Sequence, residues 1–207
     1  MTVQFSIHKH RMEALIDGVF AIAMTILVLE VKVPELVDPS SGIELIHALQ
    51  HHLSVIVAYF LSFAMLGLFW IWHHRLAHKV AEIDGALVFC SLAFLSLVCF
   101  FPFAAALFGR YMFKGNLVPL LIYLPVVGLI LLSQALYFWL AIKRGLISPS
   151  VPLQEVQSAH RRNVNSCAIF ALFCIPAALI LGIAAVGACL LCAAALFFWA
   201  SRKATAR

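Results

Sequence analysis

Long runs without charge are the feature that most restricts the fold of this chain. One such run, residues 18–29, lies between Asp17 and Glu30, and longer ones recur along the 207 residues. Hydrophobic residues make up 64% of the sequence and charged residues 11%, which excludes an ordinary soluble domain. A helix of about 20 apolar residues spans a bilayer and satisfies its own backbone groups without water. The sequence therefore predicts an all-α polytopic membrane protein.

Six apolar stretches have the length of membrane helices. No internal repeat and no soluble segment divides them, so residues 1–207 are expected to form a single transmembrane domain. The six predicted spans are about 12–33, 52–73, 84–108, 116–142, 163–182 and 184–201.

The basic residues are distributed unevenly between the two sides of these spans. Eleven of the 14 Lys and Arg residues fall on the side that holds both termini, and the other three are Lys32, Arg110 and Lys114. Cytoplasmic loops carry an excess of Lys and Arg. The sequence therefore predicts a multi-pass protein of the cell membrane with both termini in the cytoplasm, and it places the first loop, residues 34–51, outside.

The first predicted span carries an acid in its interior. A charged residue within a membrane helix costs about 2.5–3.5 kcal/mol on insertion scales, which makes Asp17 a candidate for a functional role. At about 100° per residue, one narrow stripe of the helix holds Leu15, Gly18, Ile22, Ile26 and Leu29, with Thr25 on its flank. Asp17 lies about 140° from this stripe. The stripe fits either ordinary helix packing or the wall of a pore with hydrophobic constrictions.

This segment resembles the first helix of the transmembrane protein 175 family of potassium channels. That family carries Arg-x-x-x-Phe-Ser-Asp followed by Gly-Val-Phe-Ala-Ile-Ala-x-Thr-x-Leu-Val-Leu-Glu. Arg11, Asp17 and the run 18–30 match this pattern, whereas Leu15 and Ile16 replace its Phe and Ser. Weaker matches are FWIWHHRL at 69–76 and SLVCFFPFAAALFG at 96–109. The resemblance covers most of the chain.

The resemblance implies that helix one lines a central pore in a homotetramer. Potassium ions would pass through it with a modest preference over sodium. Ile22 would form the narrowest hydrophobic ring, and an apolar ring blocks ions by dewetting until it widens. The other pore-lining residues expected on this basis are Leu15, Gly18, Thr25, Ile26 and Leu29.

The resemblance also implies a polar network between helices one and two. Its expected members are Arg11, Asp17, His73 and His74. The same acid and histidines keep a second function open, a proton-coupled secondary transporter that relays protons through them. A third alternative is a membrane assembly protein that conducts nothing.

Other classes of function receive no support from the sequence. His74 and His78 have the i, i+4 spacing of metal ligands, but no third ligand accompanies them, so no metal or other cofactor is predicted. No nucleophile motif, phosphate-binding loop or catalytic acid pair appears, and an enzyme is not expected. The net charge of +5 fits basic cytoplasmic loops rather than nucleic-acid binding. The expected partners are potassium and other monovalent cations, including protons, together with the lipid bilayer and further copies of the chain.

Overall fold

The computed structural model describes residues 8–176, and this part of the chain is built from helices. Three of the helices, α2, α3 and α4, are long and apolar enough to cross a membrane. The sixth predicted span and the end of the fifth lie outside the described residues. The helices are α1 (Lys9–Val28), α2 (Gly42–Ala77), α3 (Gly85–Tyr111), α4 (Val118–Lys143) and α5 (Leu153–Ile169), with a 3₁₀ turn at Met112–Lys114 and a π-helical turn at Phe170–Cys174.

Helix α3 forms the centre of the bundle and packs against α1, α2 and α4. Its Phe94 ring meets the Phe20 ring of α1 with the centroids 5.7 Å apart. Near the end of α3, Gly109 allows a close approach to α2, because a Cβ at this position would lie 2.9 Å from the Cβ of Ala58. Helix α5 packs against α4.

Polar contacts identify which helix ends lie together. The Nζ of Lys9, at the start of α1, donates to the carbonyl of Val80 just after α2, at 2.6 Å. Arg144, after α4, pairs with Asp84, which precedes α3. We call this the basic end of the bundle. At the opposite end, Glu30 after α1 pairs with Arg110 of α3. Consecutive helices from α1 to α4 therefore alternate in direction.

Helix α2 begins ten residues before its predicted span, inside the segment that was expected to be a loop. Ser41 caps the helix by accepting from the N–H of Glu44 at 3.2 Å. The Glu44 carboxylate in turn accepts from the N–H groups of Val37 (2.7 Å) and Asp38 (3.0 Å). The sequence Ser41-Gly-Ile-Glu44 carries the spacing of a capping box, and this signal would have placed the start of α2 correctly.

Two further differences in helix bounds also have local causes. Helix α1 ends at Val28 rather than at residue 33, because the next three N–H groups bond to carbonyls three residues back and Pro34 disfavours a helical Val33. Helix α5 begins at Leu153, ten residues before its predicted span. The prediction was late because the first turns of this helix are polar and do not resemble a membrane span. The helix is held by one face, whose buried members are Val156, Ala159 and Asn163.

Candidate pore helix and its polar contacts

Helix α1 is buried on one face and open on the other. The buried face packs into the bundle and consists of Met12, Ile16, Phe20, Ala23 and Leu27. The large residues of the predicted stripe, Leu15, Ile22, Ile26 and Leu29, are between 42% and 71% exposed, and Gly18 and Thr25 are exposed as well. Nothing within the described part of the chain covers this stripe, although every large side chain on it is apolar.

The two departures from the family motif point in opposite directions. Ile16 is buried in the bundle, whereas Leu15 lies on the open stripe. The replacement of a family Ser by Ile16 therefore adds to the apolar core, and the replacement of Phe by Leu15 changes the exposed face.

Thr25 places the one hydroxyl of the stripe in a fixed position. Its Oγ1 donates to the carbonyl of Ile22 on the preceding turn at 2.8 Å. A hydroxyl has two acceptor lone pairs in addition to its donor hydrogen. The Thr25 oxygen therefore keeps its lone pairs for a cation or a water molecule beside the Ile22 position.

Asp17 has a hydrogen-bond partner that the sequence did not indicate. Its Oδ1 accepts from the indole Nε1–H of Trp70 on α2 at 2.8 Å. The family resemblance implied the histidines of α2 as partners of Asp17, and Trp70 was not among the expected members of the network. Asp17 is exposed and Trp70 is half-buried, and the useful signal was the indole N–H itself, a donor that can reach an acid on a neighbouring helix.

The two adjacent histidines have different surroundings. His73 is buried, stacks on Phe94 with the centroids 4.6 Å apart and lies 5.1 Å from the ring of Tyr137. Neither ring nitrogen of His73 has a hydrogen-bond partner in the described structure. His74 is exposed and stacks on Trp70 at 5.6 Å. Residues next to each other on a helix point about 100° apart, so one histidine is packed into the bundle while the other faces outward.

The four residues of the predicted network are only partly brought together. Asp17, His73 and His74 line one small cleft between α1 and α2, together with Glu13 and other residues. Within residues 8–176, no hydrogen bond joins Asp17 to either histidine, and the side chain of Arg11 makes no hydrogen bond or ion pair. No group of three side chains that could hold a metal ion occurs in this part of the chain.

Comparisons with known proteins identify the family of this chain. Residues 11–102 match the model of the family described as "Endosomal/lysosomal potassium channel TMEM175". A protein named as a potassium channel from Streptomyces collinus is 35% identical over 155 residues, which are 73% of this chain and 74% of that protein. The mouse protein named endosomal/lysosomal proton channel TMEM175 is 39% identical over 95 residues, which are 42% of this chain and 19% of that protein.

A solved structure has the same fold. It is the crystal structure of a lysosomal potassium-selective channel TMEM175 homologue from Chamaesiphon minutus. The TM-score is 0.78 at 28% sequence identity, and the match covers 94% of this chain and 97% of that one. The helical fold, the apolar spans and these relatives define an ion channel of the membrane. Within that class, the chain belongs to the TMEM175 family of potassium channels.

Proposed function

We propose that this chain forms a potassium-permeable cation channel whose pore is lined by α1 in a homotetramer. Potassium is preferred modestly over sodium. The four Ile22 side chains form the narrowest constriction, and those of Leu15, Ile26 and Leu29 form further rings. Gly18 and Thr25 complete the wall. One copy of α1 cannot enclose a pore, whereas four copies around an axis can.

The observation that carries this proposal is the division of α1 into two faces. The stripe that the family resemblance implies for the pore holds four of the five large apolar residues that are more than 40% exposed between residues 9 and 29, the fifth being Val28, and Ile22 is 59% exposed. Packing of four such stripes around an axis would leave apolar rings facing a narrow path. Such rings exclude hydrated ions by dewetting until they widen.

The positions of the basic residues support the orientation with cytoplasmic termini. Lys9, Lys79 and Arg144 belong to the basic end of the bundle, where α1 begins and where the loops after α2 and α4 meet. The opposite end carries the Glu30–Arg110 pair. Since Lys and Arg concentrate on the cytoplasmic side, the basic end faces the cytoplasm in this proposal.

Potassium and sodium flux into liposomes tests the pore and its lining face together. In Ile22→Asn, a polar side chain replaces the proposed apolar ring, and we expect faster flux than in the wild type. A fall of about 1.4 kcal/mol in the barrier would raise the flux about tenfold. Val28→Asn is the matched control, because Val28 is 47% exposed and lies about 120° away from Ile22 around the same helix.

The comparison of the two variants gives a clear outcome. Flux that rises in Ile22→Asn but not in Val28→Asn supports a pore lined by the stripe. An equal rise in both variants indicates a leak from a disturbed bundle. Unchanged flux in a folded Ile22→Asn protein contradicts the proposed constriction.

A proton-coupled transporter is the second candidate, and the shared cleft of Asp17, His73 and His74 favours it. Acids and histidines inside membranes commonly relay protons. A coupled transporter would show uptake that saturates with substrate and follows a pH gradient. Asp17→Asn would then abolish the gradient-driven uptake, whereas a simple channel would retain its passive potassium flux.

A further inference from the structure

The end of α1 away from the basic end is weakly fixed by its own sequence. The N–H groups of Leu29, Glu30 and Val31 bond only to carbonyls three residues back, and the last turn of α1 holds no basic residue. In the following segment Val33 is 87% and Val37 97% exposed, whereas Val31, Pro34 and Leu36 are half-buried. Leu27 is the last fully buried side chain of α1, so a contact from another helix would add to the few that hold this end.

Glu30 and Arg110 provide such a contact. The Nη2 of Arg110 donates to Oε2 of Glu30 at 2.8 Å, across 80 residues of sequence. Partial negative charge accumulates at the carboxyl end of a helix, so a carboxylate there is unfavourable and a cation favourable. Arg110 supplies the missing cation to the end of α1 and compensates the Glu30 carboxylate.

The helix that carries Arg110 is itself firmly placed. Gly109, the preceding residue, lies against Ala58 and Val55 of α2, with no room for a Cβ. A crevice between α1, α2 and α3 lies beside the ion pair, and Leu27, Val55 and Glu30 are among the residues that line it. The backbone at Arg110 is therefore held against α2, and Glu30 connects the end of α1 to it.

We propose that the Glu30–Arg110 ion pair positions the outer end of α1 and thereby sets the width of the pore at Leu29. This inference rests on the proposed function, because Leu29 is 71% exposed and lines a path only if α1 forms the pore. Glu30 and Arg110 are positioning residues, since they act on ions through the neighbouring Leu29 ring. Both side chains are partly exposed, and pairs of this kind contribute little to overall stability. Their loss should therefore alter opening far more than folding.

Single-channel recording in planar bilayers tests this role with Glu30→Gln and Arg110→Gln. A positioning role predicts that both variants change the open probability in the same direction. We expect about fourfold or more, because four weak pairs would act on one pore. The charge-swapped protein, Glu30→Arg with Arg110→Glu, should return the open probability to within about twofold of the wild type.

A purely electrostatic role at the pore mouth predicts a different result. Removing Arg110 charge would then raise cation conductance and removing Glu30 charge would lower it, with open probability unchanged. Opposite effects, no effect, or a charge swap no better than the single variants would overturn the positioning role. If a Gln variant fails to assemble, the charge-swapped protein provides the test. A charge-swapped protein that assembles and opens like the wild type supports the positioning role, and one that fails to assemble overturns it.

A second measurement does not depend on current. Leu29→Cys in a cysteine-free background is crosslinked between copies with a bifunctional thiol reagent. The positioning role predicts that both Gln substitutions change the crosslinking rate and that the charge swap restores it. If the wild type carries no current but its crosslinking rate changes with the Glu30 and Arg110 substitutions, the proposed channel function is refuted and the positioning role is not. If the wild type conducts but the Glu30 and Arg110 substitutions change neither the open probability nor the crosslinking rate, the positioning role is refuted and the proposed channel function is not.

Discussion

Replacement of Gly109 by alanine should force α2 and α3 apart at their closest approach. The new Cβ would lie 2.9 Å from the Cβ of Ala58 and 3.3 Å from the Cα of Val55. Both atoms are held close to the backbone of α2 and cannot rotate away. Since carbon atoms in contact prefer about 3.5–4.0 Å, the helices must separate by about 0.6–1.1 Å at this point.

The size of the effect follows from a comparison with a second glycine. Gly67→Ala in α2 brings its Cβ only to 3.9 Å from the Cε of Met24, an ordinary contact. Both substitutions gain similar helix propensity, up to about 1 kcal/mol, so the difference between them isolates the clash. Overpacking of this kind costs about 1–3 kcal/mol. For a chain of this length, the melting temperature of Gly109→Ala should fall below that of Gly67→Ala by about 2–12 °C.

Thermal unfolding of the purified proteins in detergent, followed by tryptophan fluorescence, measures this difference. The double variant Gly109→Ala with Ala58→Gly removes the nearest clashing atom, and because Ala58→Gly alone loses about 1 kcal/mol of helix propensity, the double variant should be more stable than the sum of the two single effects. A Gly109→Ala protein as stable as Gly67→Ala would refute the close packing of α2 and α3. A double variant whose loss equals the sum of the two single losses would show that Ala58 is not the obstructing residue.

Two further predictions concern polar contacts. Trp70→Phe removes the donor to Asp17 and Asp17→Ala removes the acceptor, so a double-mutant cycle with these two substitutions, read by thermal unfolding, should give a coupling of about 0.6–1.7 kcal/mol; additive effects would contradict the hydrogen bond. The hydroxyl and the backbone N–H of Ser40 lower the pKa of Asp38 below its ordinary value of 3.8. The turn's contribution to stability is therefore complete above that value and is lost as the pH falls through the lowered pKa. Ser40→Ala should raise this pKa in a carboxyl NMR titration, and an unchanged value would contradict the side-chain contribution.

The position of the stripe around α1 could be anticipated from the sequence, whereas the sequence left open whether other helices would cover it. The predicted stripe around Ile22 is a consequence of the helical repeat, and the structure leaves its large residues exposed while burying Phe20 and Leu27. The position of a side chain around a helix depends mainly on local geometry. Local geometry is the information that a sequence carries most directly.

The partner of Asp17 and the ends of α2 and α5 were less accessible. A choice between Trp70 and His74 as the donor depends on how two helices rotate against each other, which apolar periodicity does not determine. The predicted starts of α2 and α5 were late because hydropathy detects the membrane-spanning part of a helix, whereas the helices begin in polar segments. The Ser41–Glu44 spacing was the available local signal for α2.

The fold and the pore rest on different parts of the molecule and can fail separately. Gly109 and Phe94 belong to contacts that hold α3 against its neighbours, and these contacts do not require α1 to line a pore. Ile22 belongs to a face that the chain leaves open, and its role requires further copies of α1. A protein that is destabilised by Gly109→Ala and indifferent to Ile22→Asn would therefore retain the bundle described here while its ions follow another path. If Gly109→Ala lowers the stability and Ile22→Asn raises the flux, the same chain needs both the packing of α3 and the open face of α1. Both features would then be required to form a channel.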